Sequence, residues 1–450
     1  MDFKRDGKQA AASSGSFPAI STFGMNRRQL VQRALVSGGA ILFAGTGVIP
    51  AHVAAQDKVK IVQWYHQYGE EGTQDAVMKY AKQFTASDAG KGIDVEVVWQ
   101  TAPDYGSALS AALLTESGPD VFEQNGPTLD QVKQNQILPL DDLYTPEVKA
   151  DFNEIGLKSG TINGKIYWVK MIDDTGAFYY KKSDFAAAGI TEVPTTLSAV
   201  VDMATKLNSG RKKGLFLGND GGIAAAGGLL MWSGGADYFD QAQTKIAFNT
   251  DGVAAGVTKL KELNDSGALL IGAPTDYWDP SAFIQGLATV QWTGMWALPA
   301  ILKAFSDDVD VFPWPATDGT PGKQSTFWGG WGECVNGKTK NVDAAKALVK
   351  FLWIDSIDIQ KDWALSYGFH IPPRKSAAAS AEQLKTGPAA KFVTNINSFG
   401  RITPPLWDAA MGTAFTQAVT NVVKNGNDAK GELDAAATTS QTELDRLLKG

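Results

Sequence analysis

The chain has 450 residues, 44% apolar and 20% charged, with a formal net charge of −7. That length exceeds one ordinary core and predicts two α/β lobes, and the composition is that of a globular protein in water, not of a disordered or membrane-embedded one. Cys334 is the single cysteine, which excludes an intramolecular disulfide.

Residues 1–55 differ from the rest. From Met25, an alternative start, the chain reads MNRRQLVQRALVSGGAILFAGTGVIPAHVAAQ, with Arg27-Arg28 before a moderately apolar run that ends near Pro50. This pattern predicts a secretory signal of the twin-arginine type, with Val53 and Ala55 as the small residues before cleavage at Gln56. A retained anchor is the alternative, but the short, glycine-rich apolar part suits it poorly. Removing residues 1–55, with their six Lys or Arg and two Asp or Glu, leaves 35 basic and 46 acidic residues and a net charge of −11. An acidic exported chain argues against nucleic acid as a partner. The expected product is a soluble, monomeric periplasmic protein.

In chain order, Lys58–Tyr65 forms a β-run, followed by a helix to Phe84 whose inner face is Ala76, Val77, Tyr80, Ala81 and Phe84. A strand over Ile93–Trp99 leads past Pro103 into a helix over Ser107–Thr115, and a third strand, Asp120–Glu123, follows Gly118-Pro119. Strand and helix alternating at this spacing predict a parallel sheet with crossover helices, whose ligands sit at the carboxyl ends of the strands. That rim holds His66, Gln67, Gln124 and Asn125.

The segment Asn163–Ile190 is the most informative. A turn at Asn163-Gly164 precedes an apolar strand to Met171; Asp173 and Asp174 follow, then a second β-run, Ala177–Tyr180, and a helix expected to be capped by Ser183. Two strands that change direction around a pair of acids predict a crossing between lobes, with Asp173 and Asp174 facing a cleft; a surface hairpin with solvated acids is the alternative. Helices are expected over Leu197–Leu207, Ile223–Trp232 and, capped by Asn249, Gly252–Asn264; strands over Leu215–Leu217, Ala288–Trp292 and Val309–Pro313. The loop Gly218-Asn219-Asp220-Gly221-Gly222 lacks the lysine and spacing of a phosphate loop, so its Asn and Asp suit helix caps. Pro315–Ser325 is the expected return linker, Phe327–Val335 is β-rich, and Gly368–Arg374 is a second crossing. Helices fill Val342–Trp353, Ile357–Ser366 and most of 376–450.

Catalytic motifs are absent: there is no Gly-x-Ser-x-Gly, His-Glu-x-x-His or Cys-x-x-Cys. After signal removal His66 and His370 remain, too few for a histidine-rich metal site, and no cofactor is implied. Thirteen tryptophans stand out, many beside Gly or Asp in expected loops. Sugars offer apolar C–H faces and rings of hydroxyls, so aromatic platforms beside planar polar side chains suit them. Trp64, Trp232, Trp278, Trp296, Trp328 and Trp331 fit such positions, whereas Trp353 and Trp363 lie inside amphipathic helices and belong to the core. A carbohydrate-active enzyme using Asp173 or Asp174 with Glu123 is the rival from another class.

The order of KIVQWYHQYGEEG, SGPDVFEQN with ILPLDDL, NGKIYWVKMIDDTGAFYYKKSDFAAAGI with VPTTL, IAFNTDG, TVQWTGMW, GGWGECVNGKTKNVDAAKALVKFL and YGFHIPPR over residues 58–376 resembles a family 1 extracellular solute-binding protein. That family is the sugar-capturing component of an ABC importer, and the chain is similar to its maltodextrin-binding members. The resemblance implies a two-lobe α/β clamshell of the type II periplasmic binding protein fold with several hinge crossings. Lobe one would comprise 56–172 and 325–370, lobe two 173–324 and 371–450. It also implies a membrane permease as partner and a ligand site of His66, Gln67, Gln124, Asn125, Asp174, Asn219, Trp232, Trp296 and Trp331, with Asp174 as the cleft acid; the aromatic loop Asp276–Pro280 adds Trp278 to the candidates. Tyr180-Lys181-Lys182 and Thr195-Thr196-Leu197 depart from the family's usual residues, so the ligand is not borrowed from any one member; a polyol, polyamine or phosphate ester is the alternative to a sugar.

Overall fold

The computed structural model describes residues 58–101 and 105–449. The expected signal segment, its cleavage site and Pro103 lie outside the described residues. The chain opens with strand β1 (Val59–His66), helix α1 (Thr73–Ala86), strand β2 (Ile93–Gln100), helix α2 (Tyr105–Leu113) and strand β3 (Val121–Gln124). The buried face of α1 is Thr73 with the five residues its 3.6-residue period predicts, Ala76, Val77, Tyr80, Ala81 and Phe84. β1 pairs in parallel with β2, from Val59 opposite Ile93 to His66 opposite Gln100, and in parallel with β3.

Strand β4 (Val169–Lys170) ends the first sheet's share of this part of the chain. β5 (Gly176–Lys181) begins a second sheet, joined by β6 (Lys213–Phe216), β7 (Ala288–Gly294) and β8 (Val309–Phe312) in the order β8-β5-β7-β6. The chain then returns: β9 (Gly332–Val335) inserts antiparallel between β3 and β4, so the first sheet reads β2-β1-β3-β9-β4. A last helical part includes α3 (Ala409–Asn425) and α4 (Ala429–Lys449). The result, among the described residues, is an α/β fold with two main sheets, of five and four strands, and two small two-stranded ones. Among the described residues no helix is long and apolar enough to cross a membrane.

Trp353 and Trp363 are buried in the core beside the first sheet, as their helical spacing predicts. Three local expectations change. Thr250, not Asn249, caps the helix Asp251–Asp265, by accepting from the Val253 N–H; the Asn249 amide instead donates to Asp434. Ser183 lies inside the helix Lys182–Ala187, and both its N–H and hydroxyl bond to Asp308. The stretch 315–325 is an excursion closed by paired backbone bonds between Trp314 and Ser325, so the return to the first sheet starts after it.

Candidate functional site

The passage between sheets is built from three segments lying side by side. Asp174 and Gly329 exchange backbone hydrogen bonds of 3.3 and 2.8 Å, and Asp173 and Ile371 exchange bonds of 2.8 and 3.0 Å. The two acids of the first segment are buried there, at 0% and 3% exposure, so neither faces bulk solvent. Each has a cation. Lys170 Nζ lies 2.5 Å from Asp173 Oδ1, and Asn153 donates to Oδ2 at 3.1 Å. His370, delivered by the third segment, sits between Asp174 (2.7 Å) and Glu70 (3.1 Å). Burial works against a charged imidazole, but the two carboxylates outweigh it and hold His370 up at about 10. One oxygen of the Asp174 carboxylate, Oδ1, is therefore engaged by His370 at the passage between the sheets.

At the carboxyl end of β1 and β3 a second polar group forms. Glu123 accepts from the His66 N–H (2.6 Å) and the Tyr68 hydroxyl (2.6 Å), and its Oε1 lies 2.6 Å from His66 Nδ1. The His66 ring stacks on Trp331 at 3.9 Å between centroids. Glu333, opposite Glu123 in the β3–β9 ladder, is bound by Gln63 and by the Tyr65 hydroxyl at 2.7 Å. Burial raises the Glu333 carboxyl to about 7.

A cavity of about 380 Å³ opens beside these elements. Its aromatic lining is Trp232, Tyr238, Tyr277, Trp292, Trp296, Phe327, Trp407 and Phe415, and its polar side chains are Asn125, Thr403 and Thr416. Among the described residues that line it there is no Asp, Glu, Lys, Arg or His.

Local sequence explains the walls. Gly294 ends β7 bare, because a Cβ there would lie 1.9 Å from the Trp296 ring, which folds back and donates its N–H to the Trp278 carbonyl at 2.9 Å. Asp220 caps the helix Ile223–Ser233, accepting from the N–H groups of Gly222, Ile223 and Ala224. That helix kinks at Gly227 (φ 36°, ψ −126°), a conformation open to glycine, and its residues 224–229 form one side of the cavity.

Of the residues singled out from sequence, Asn125, Trp232 and Trp296 come together at this cavity. His66 and Trp331 pair with each other at the rim of the first sheet. Gln124 is taken up by Gln131 and Cys334, and Gln67 is exposed. Asn219 is fully committed within the chain, donating to the Ala273 and Thr275 carbonyls and accepting from the Gly272 and Ala273 N–H groups. Trp278 is 49% exposed and contributes its carbonyl. Sequence reasoning passed over Tyr238, Thr403, Trp407 and Phe415. The available signal was Trp407 itself, an aromatic directly after Pro404-Pro405-Leu406 and before the helix cap Asp408.

Residues 79–391 match the family of bacterial extracellular solute-binding proteins. The chain belongs to that family. This solute-binding protein is 29% identical over 240 residues to the probable amino-acid ABC transporter periplasmic-binding protein y4oP of Sinorhizobium fredii, covering 51% of this chain and 52% of that one, about half its length. It is 28% identical over 316 residues to the diacetylchitobiose binding protein DasA of Streptomyces coelicolor, covering 67% and 71%. The GacH receptor of Streptomyces glaucescens, solved unliganded and with acarbose, matches its fold with a TM-score of 0.70 at 22% identity, over 87% of this chain and 99% of that one. The two-lobe fold expected from sequence is thus the fold of this solute-binding protein.

Proposed function

We propose that this solute-binding protein is exported, captures a neutral saccharide between its lobes, and hands it as a monomer to the permease of an ABC importer. The observation that carries this reading is the cavity lining: eight aromatic side chains, amide and hydroxyl groups, and no formal charge. Aromatic faces suit the C–H faces of a pyranose, and the Asn and Thr side chains suit its hydroxyls. A polyamine or a phosphate ester brings charge into a site that offers it no counter-ion, and a free amino acid brings two such charges. The relative named for binding diacetylchitobiose, and the GacH receptor solved in complex with acarbose, support the same class.

The enzyme reading finds less support. Glu123 is bound to His66 and Tyr68, Asp173 to Lys170 and Asp174 to His370, and no carboxylate lines the cavity among the described residues. Glycoside hydrolysis needs two carboxyl groups flanking the bond. Isothermal titration against neutral mono- and disaccharides, with spermidine, glycerol phosphate and glycine as charged controls, tests the reading. Heat from saccharides alone is expected; binding of a charged control with no saccharide response refutes it. Closure follows if both lobes touch the ligand, because a ligand shifts a conformational equilibrium only through differential affinity.

A further inference from the structure

Helix α3 begins beside the cavity, and Gly412 lies in its first turn, donating its N–H to the Asp408 carbonyl at 3.0 Å. A helical glycine is less stable than an alanine, so it needs a reason. Two other cavity glycines have one in the chain's own packing: a Cβ on Gly228 would lie 2.2 Å from the Tyr238 hydroxyl, and one on Gly294 would enter the Trp296 ring. Gly412 does not. Its φ is not positive, and the one atom near an added Cβ is Trp407 Nε1 at 3.5 Å, an ordinary contact.

Trp407 is held on several sides. Tyr238, Phe239 and Phe248 meet its ring edge-on, with centroids 4.7, 5.9 and 5.8 Å away. The ring is half-buried, and its Nε1 is the atom that faces the space over Gly412. Both residues line the cavity, and both lie beyond residue 391, where the family match ends.

We infer that Gly412 and Trp407 form the specificity-determining end of the site, where a bare helix turn admits the second ring of a neutral disaccharide and the Trp407 N–H donates to one of its hydroxyls. The inference rests on the saccharide reading above and narrows it. A cavity of about 380 Å³ is at the lower end of the roughly 300–1,000 Å³ of small-molecule sites, which suits two linked rings better than a long oligomer. The family-wide part of the fold holds the first ring. The segment 403–416 selects for the second.

Titration of the full protein, Gly412→Ala and Trp407→Phe with disaccharides and their component monosaccharides tests this, alongside melting temperatures. Gly412→Ala is expected to melt no lower than wild type, to lose about tenfold or more in disaccharide affinity, and to keep its monosaccharide affinity. Trp407→Phe, which keeps a ring and removes the donor, is expected to lose disaccharide affinity several-fold with a melting temperature near wild type. A Gly412→Ala protein that binds the disaccharide as wild type does overturns the inference. So does one that melts lower, or a wild type that binds monosaccharides alone. A wild type that binds no saccharide overturns the saccharide reading and this inference together.

Discussion

Glu333→Gln tests how the first sheet carries its buried acid. The Glu333 side chain is fully buried, bound through Oε1 to Gln63 and Tyr65, while Oε2 has no partner. Burial is the main cause of a carboxyl raised from 4.5 to about 7, with the nearby Glu123 adding to it. Below pH 4.5 folded and unfolded chains both hold the proton, so the group is neutral to stability. Between pH 4.5 and 7 the unfolded chain ionises first, and the folded state is penalised progressively. Above pH 7 the full penalty stands, roughly 3 kcal/mol at about 1.4 kcal/mol per pH unit. Glutamine copies the protonated form and removes that penalty. Part of the gain is offset because the new amide N–H₂ replaces an oxygen without a partner, about 1–2 kcal/mol for an unmet buried donor. Urea unfolding followed by tryptophan fluorescence from pH 4.5 to 8.5 is expected to show the variant more stable than wild type by about 1–2 kcal/mol at pH 8, with the gap closing or reversing toward pH 4.5. Two parallel curves, offset equally at every pH, would refute the reasoning.

His370→Gln leaves Asp174 and Glu70 buried without their shared cation and is expected to cost about 3 kcal/mol or more at pH 7. Because His370 is held at about 10, its contribution is complete below about pH 6.5 and fades as pH rises toward 10. The gap between wild type and variant therefore narrows at pH 10, and an unchanged urea midpoint at pH 7 contradicts the hinge ion pair. Trp296→Ala is expected to weaken ligand binding by about 2 kcal/mol, near thirtyfold, with far-UV circular dichroism unchanged. An unaltered dissociation constant removes Trp296 from the site.

The parts of the fold that follow from local periodicity were open to reading in the sequence. The buried face of α1 and the parallel pairing of β1, β2 and β3 needed only apolar spacing and the turn signals between elements. Residues whose partners lie far along the chain were not. The pairing of Asp174 was out of view because its partner His370 stands 196 positions later, and Ser183 looked like a cap because Asp308 was out of view. The cavity illustrates the same limit. Trp296 and Trp232 were recognisable from their places next to glycine-containing loops, but Trp407 and Gly412 join them only once α3 packs against the helices Ile223–Ser233 and Asp251–Asp265. In each case local chemistry named the residue type, and three-dimensional proximity decided its employment.

The late arrival of β9 also dictates when the first lobe becomes whole. β3 keeps an open edge for some two hundred residues of chain, until residues 332–335 seal it. Pairing across such a separation is slow to form. The lone thiol of the protein, Cys334, lies on that strand, opposite Phe122 and fully buried, with burial pushing its pKa up. An unreactive thiol in the finished protein and a reactive one beforehand make Cys334 a built-in clock. Pulse labelling during refolding reads out the moment the first lobe closes its sheet, without any residue being introduced for the purpose.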